Sequence, residues 1–205
     1  MESEGRGSRL TASGSIEAGV SRMRPVRYNV AASLDGFIAD PAGRFDWIPH
    51  DPAVDFAALF ARVDTVLLGR RTYDVMQAAE GPAWAPGTRV YVFSRTLVPS
   101  AHPDVHVVAS EPAATVAALR AEPGTGEIWL FGGGALFATL LAAGQVDRVE
   151  VTVVPVLLGA GVPLVAAAIG RTPLTLVDTH RYPSGLVTLS YTVGAPAATR
   201  TSALP

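Results

Sequence analysis

The chain has 205 residues, 49% of them hydrophobic and 17% charged, which is enough apolar content for one well-formed core. A formal net charge of −2 gives no general pull toward nucleic acid, and the absence of cysteine excludes disulfides, thiolate catalysis and cysteine-ligated zinc. The four histidines have no ligand-like spacing and no apolar run approaches the roughly 18 residues of a membrane span, so no metal and no membrane partner are expected and a cytoplasmic location is.

Residues 1–24 are rich in Gly, Ser, Arg and Glu, show little apolar periodicity and are expected to be disordered; they contain no apolar segment of a secretory signal. Met23, just ahead of the first strand-like run, is a second candidate start. Residues 195–205 are likewise a poor core former, which puts the folded unit at 25–194.

Within that unit strand-like and helix-like runs alternate. VRYNVAAS, from Val26, reads as a strand, and DPAVDFAALFARV, with Val54, Ala57, Ala58 and Ala61 at helical spacing, as a helix. DTVLLG is a short buried-strand pattern ending at Gly69, and RTYDVMQAA a helix. RVYVFS and VHVVAS read as strands; EPAATVAALRA is a helix with Ser110 as N-cap and Pro112 in the first turn, where proline is tolerated. EIWLFG is a strand, GALFATLLAAG a helix closed by Gly144, and RVEVTVVPVLLG a long strand. Two last strands flank Pro183-Ser184-Gly185, which has hairpin-turn chemistry. Alternation of this kind predicts an α/β fold with a mostly parallel sheet and an antiparallel C-terminal hairpin.

Gly132, Gly133 and Gly134 stand where a strand ends and a helix begins. In such a sheet, ligands bind at the carboxyl ends of strands, and a helix N-terminus offers unpaired N–H groups and partial positive charge. A phosphate cradle and a plain tight turn both account for glycine here, although one glycine suffices for the turn. The run is not G-x-G-x-x-G, so the Rossmann fingerprint is not met. Two other strand ends carry Gly69, Arg70, Arg71 and Thr72, and Ser94 and Arg95. Guanidinium groups bind phosphate in a bidentate fork, although arginines in loops also serve simply as solvated surface. Two phosphate sites fit a dinucleotide with a pyrophosphate and a ribose 2′-phosphate, NADPH rather than NADH.

The runs AASLDGFIA, DTVLLGRRTYD, VYVFSRT and IWLFGGGALFATLLAAGQVDRVEVTVVPVLLGAG follow one another in the order found in dihydrofolate reductase-like proteins. Over Val26 to Tyr191 the chain most resembles the branch containing the reductase domain of riboflavin biosynthesis. The resemblance implies a three-layer α/β/α fold of the dihydrofolate reductase type that binds NADPH. It implies that Gly69, Arg70, Arg71 and Thr72 hold the phosphates of the adenosine half, and that Ser94 and Arg95 flank the 2′-phosphate and adenine. Gly132, Gly133, Gly134, Ala135, Leu136 and Phe137 would run along the pyrophosphate toward the nicotinamide, which Ala31, Ala32 and the SLDG turn would face. It also implies a homodimer paired through the apolar run from Arg148.

The departures are informative. No zinc deaminase domain of the bifunctional riboflavin enzymes has room here. The buried carboxylate that dihydrofolate reductases place after the first strand has Asp55 as its nearest candidate, taken here as the catalytic acid, with Asp51 the alternative; the spacing does not align cleanly. Asp35 is read as substrate-facing or as a turn cap. Trp47 is read as a wall of the substrate pocket or as a staple for its loop. The expected activity is an NADPH-dependent reductase passing hydride to a small planar heterocycle of pteridine or pyrimidine type. The alternative is an NADP(H)-binding homologue without turnover, acting as a sensor or accessory protein.

Overall fold

The computed structural model describes residues 23–79, 84–166 and 169–194. Among these the order is β1 (Val26–Ser33), β2 (Phe37–Ala39), α1 (Phe56–Ala61), β3 (Val63–Gly69), α2 (Arg70–Ala78), β4 (Arg89–Phe93), β5 (His106–Val108), α3 (Pro112–Ala121), β6 (Glu127–Gly132), α4 (Gly134–Ala142), β7 (Arg148–Val154), β8 (Val162–Pro163), β9 (Leu174–Arg181) and β10 (Val187–Val193). Eight strands form one sheet in the order β5-β4-β3-β6-β1-β7-β10-β9. Neighbours from β5 to β7 are parallel, and β10 runs antiparallel to both β7 and β9. The predicted α/β sheet with its antiparallel C-terminal hairpin is therefore present. β2 and β8, which the sequence did not announce, form a separate two-stranded ribbon.

Alternation along the strands sorts side chains into two layers of cover. On one face Tyr28, Leu67, Ile128, Leu130, Val149 and Val151 pack against α3 and α4 through Val116, Leu119, Phe137 and Leu140. The Tyr28 and Phe137 rings stack with centroids 3.9 Å apart. On the other face Val66, Leu68, Val90, Val92 and Trp129 pack against Leu59 of α1 and Tyr73 of α2. That second cover stops at β6. Beyond it the strand register lines up a polar grid: Arg27, Arg148 and Thr192; then Asn29, Glu150 and Ser190; then Ala31, Thr152 and Thr188.

Several boundaries differ from the sequence expectation, each for a local reason. The first helix begins at Phe56 rather than near Asp51, because the Asp51 carboxylate bonds the Ala53 amide at 2.8 Å and holds residues 51–54 in a turn. The N-cap of α3 is Glu111, at φ 49°, and not Ser110; Pro112 takes the first helical position directly after it. β7 stops at Val154, since Pro155 has no N–H to continue the ladder. Gly144, at φ 68°, does close α4. Arg24, expected to belong to the disordered extension, is only 2% exposed: its amide donates to Arg120 O at 2.9 Å and its guanidinium pairs with Asp64. The remainder of that extension, 1–22, and the tail 195–205 lie outside the described residues.

Candidate active site

The ends of β3 and β6 are adjacent, and each opens a helix through a glycine. Gly69 is the N-cap of α2 and Gly133 that of α4; neither helix start is closed by a side chain. The two starts touch, since a Cβ on Gly69 would lie 3.5 Å from Gly133 N and 3.6 Å from Gly132 O. Thr72 completes the junction: a Cβ on Gly133 would meet its hydroxyl at 3.2 Å. The three glycines thus answer to different needs. Gly132 has φ 149°, which favours glycine. Gly133 faces Thr72, and Gly134 leaves no space for a side chain because its Cβ would sit 2.5 Å from the Pro163 carbonyl oxygen. Gly134 is therefore a packing residue and not an open part of a cradle, while the exposed Ala135 follows it on α4.

The charges around this junction are unusual for helix starts. The partial positive charge of a helix N-terminus favours anions, yet α2 carries Arg70 and Arg71 in its first turn and no acid there. Arg70 is relieved by Asp74, whose two oxygens lie 2.8 Å from its Nε. Arg71 and Arg95 are exposed and make no ion pair among the described residues. The register Gly69↔Phe93 puts the strand ends that precede Arg70 and Ser94 next to each other. Ser94 is 8% exposed, and its hydroxyl accepts from the amides of Leu97 at 3.0 Å and Thr96 at 3.2 Å. It shapes the turn that carries Arg95.

A solvent-open cavity of about 1030 Å³ lies over the polar grid. Its floor includes Asn29, Ala31, Glu150, Thr152 and Thr188, with His180 and Tyr182 at one side; its wall is α1 and the loop from Phe45 to Asp55. Parallel register pairs Tyr28 with Leu130, so Val30 and Gly132 follow two residues on in the two strands. Ala31 lines the cavity from β1, the strand next to β6, whose end carries the glycine turn.

The structure sorts the remaining candidates. Asp55 lines the cavity, but it is exposed and its Oδ1 accepts from Ala58 N at 2.8 Å as the N-cap of α1. It is an ordinary helix cap, not the buried carboxylate that the resemblance calls for. Asp51 is 6% exposed and also lines the cavity; its Oδ2 makes no hydrogen bond of ordinary geometry. The Ser184 hydroxyl, and after it the Ala53 amide, hold the Asp51 carboxyl below the usual carboxylate range against the opposing effect of burial. Asp35 accepts from Ser33 Oγ and Gly159 N, each at 2.7 Å, and from Leu158 N at 3.1 Å. Its carboxylate is consumed in tying the SLDG turn to the loop after β7, as a turn cap. Trp47 donates from Nε1 to Arg44 O at 3.2 Å and lies outside the cavity lining, although Asp46 and Ile48 on either side are part of it. Ala32, Leu136 and Phe137 are core residues at 2%, 8% and 3% exposure, so their side chains point into the core; Ala31 lines the cavity. Pleating explains the correction at Ala32, because successive strand residues point to opposite faces.

Sequence reading missed Asn29, Glu150, Thr152 and Thr188. The signal was present in the polar alternate positions of VRYNVAAS, RVEVTVV and VTLSYTV. Strand alternation alone does not say whether a polar face meets bulk water or a pocket. Among the described residues no group of three His, Asp or Glu could hold a metal ion, and no helix is long and apolar enough to cross a membrane.

Comparison with known proteins gives this geometry a family. The chain is 31% identical over 184 residues to the uncharacterized protein YyaP of Bacillus subtilis (strain 168), covering 83% of this chain and 95% of the relative. A solved protein assigned to riboflavin biosynthesis in Shewanella sp. PV-4 superposes with a TM-score of 0.72 at 30% identity, over 84% of this chain and all of the other (100%). Dihydrofolate reductase from Enterococcus faecalis, solved with NADP(H), shares the fold at a TM-score of 0.57 and 18% identity, over 83% of this chain and 97% of that one. With residues 24–188 matching the RibD C-terminal domain, the chain belongs to that family and has its dihydrofolate reductase-like fold.

Proposed function

We propose that the protein is an NADPH-dependent reductase acting on a small planar heterocycle held over the polar grid. The observation that carries this reading is the contact between two glycine-capped helix starts at the adjacent ends of β3 and β6, with a large open cavity over the neighbouring strands β1, β7 and β10. The residues present fit a dinucleotide phosphate. Two helix starts without side-chain caps leave N–H groups for a pyrophosphate, and Gly69 and Gly133 let the two starts approach each other closely. Arg71 and Arg95 are the guanidinium groups left for a 2′-phosphate, since Arg70 already has Asp74. When bound, NADPH supplies the hydride.

The chain's own residues orient the acceptor and keep the reacting edges aligned. Ala31, whose side chain is a single methyl, leaves room between the cavity floor and the glycine turn. Asp51 is held ionised at neutral pH and so has no proton to give. Asp55 serves α1 as its cap. In this reading water, which reaches the open cavity, supplies the proton that accompanies reduction.

Titration of NADPH and NADH by fluorescence tests the cofactor assignment. A charged bidentate contact contributes about 1.5–3 kcal/mol, so NADPH should bind roughly ten- to a hundredfold more tightly. Equal affinities would remove the 2′-phosphate role from Arg71 and Arg95.

A further inference from the structure

The middle row of the polar grid, Asn29, Glu150 and Ser190, contains a group whose orientation is dictated from outside the cavity. Glu150 Oε2 accepts from Arg27 Nη1 at 2.7 Å and from Ser190 Oγ at 3.2 Å, and its Oε1 accepts from Asn29 Nδ2. Arg27 is itself fixed: its Nε and Nη2 donate to Glu127 at 2.7 and 2.9 Å, and it is only 6% exposed. Burial opposes the charge on Arg27, and Glu127 and Glu150 more than restore it.

A carboxylate only accepts hydrogen bonds, whereas an amide has one donating and one accepting end. Ion-paired Glu150 can face only the NH2 end of Asn29. The other end, Oδ1, receives no hydrogen bond from any described group, and Asn29 lines the cavity. The polarity of the floor at this point is therefore set by Arg27, two residues away on the same strand.

We infer that Asn29 is a specificity-determining residue, its Oδ1 accepting a hydrogen bond from an N–H or NH2 group on the edge of the bound heterocycle, with Glu150 as the positioning residue that fixes this direction. The inference rests on the cavity being the substrate site. An amino-bearing edge is favoured over one with an oxygen at the same place, because two facing lone-pair groups leave both oxygens without a partner.

Two probes separate the cases: 2-aminopyrimidine and 2-methoxypyrimidine share their ring nitrogens, the exocyclic group of the first donates and that of the second only accepts, and the variants below control for the added methyl. Binding to the purified full chain is measured by ligand-observed NMR. The wild type should prefer the amino probe by about fivefold, the scale of one neutral hydrogen bond. In Glu150→Gln, Arg27 holds the new amide by its oxygen and the new NH2 turns toward Asn29. The Asn29 amide then presents its own NH2 to the cavity, and the preference should fall to parity or reverse. Asn29→Leu leaves the Arg27–Glu150 pair intact and should also abolish the preference, which keeps the test open if Glu150→Gln fails to fold. Equal or undetectable binding of the two probes by the wild type, or a preference that survives in the variants, overturns the inference. NADPH titration distinguishes the two ideas. Cofactor binding without probe discrimination sinks only the role of Asn29; probe discrimination without cofactor binding sinks only the reductase reading.

Discussion

One strand, β1, belongs to two different environments. Val26 and Tyr28 have no exposed surface and help to hold α3 and α4 to the sheet, while Asn29 and Ala31 form part of an open polar floor. The same division continues through β7, where Val149 and Val151 alternate with Glu150 and Thr152. On the first side, energy comes from apolar area removed from water, which is insensitive to pH and indifferent to partner. On the second, it comes from charge pairs and hydrogen bonds that hold particular atoms in particular directions. The difference teaches that the core side can specify the fold while the grid side is free to specify the ligand, with adjacent residues of one strand serving the two.

The largest test of this division is Phe137→Ala. Phe137 is 3% exposed and stacked on Tyr28, so its truncation should cost about 3–5 kcal/mol in urea denaturation. NADPH affinity of the folded fraction should not change. A loss of affinity with stability intact would return Phe137 to the cofactor path and break the comparison.

An intermediate effect is expected at the cavity wall. Asp55→Ala removes the cap of α1 and should cost about 1 kcal/mol, whereas Asp55→Asn keeps a capping oxygen and should be nearly neutral. Neither should change turnover on an accepted substrate by more than a few-fold. A drop of about 100-fold in Asp55→Asn, the scale of a lost general acid, would make Asp55 catalytic after all.

The smallest effect sharpens the grid side. Burial raises the Glu127 carboxyl, but Arg27 and Arg148 outweigh it and hold the group below its ordinary 4.5. A carboxyl lowered in the folded state stabilises the fold above its unfolded value, and that contribution is lost as pH falls through the folded one. Melting temperature should therefore decline below about pH 4.5 more steeply for the wild type than for Glu127→Gln. Parallel curves would mean that the Arg27–Glu127 pair contributes nothing net.

Much of the fold could be read from the sequence, because the short apolar runs DTVLLG, RVYVFS and EIWLFG are rich in β-branched and aromatic residues and alternate with longer helix-like runs at Gly/Pro punctuation. The start of α1 could not, since an aspartate that competes for backbone amides is invisible to a count of apolar spacings. Candidate site residues at strand ends were found because glycine and arginine there are chemically unusual. Ser94 and Asp35 were drawn toward the ligand by the same logic, yet their oxygens close turns, which depends on which amides the fold brings near. Asn29 and Glu150 stayed hidden because they and their partners, Arg27 and Ser190, come from three strands and meet only once register is set.

Gly134 has a mechanical consequence. Its missing side chain lets the first turn of α4 rest directly on the backbone of Pro163 and Leu164, and Ala166 N donates to Gly134 O at 3.4 Å. Leu164 N in turn donates to Gly36 O at 2.9 Å, in the turn that leaves β1. The start of α4, the strand β8 and the exit of β1 are thereby joined as a single strut. A ligand that pulled on the start of α4 would load β8 and the exit of β1 as well, so these three segments share one stiffness.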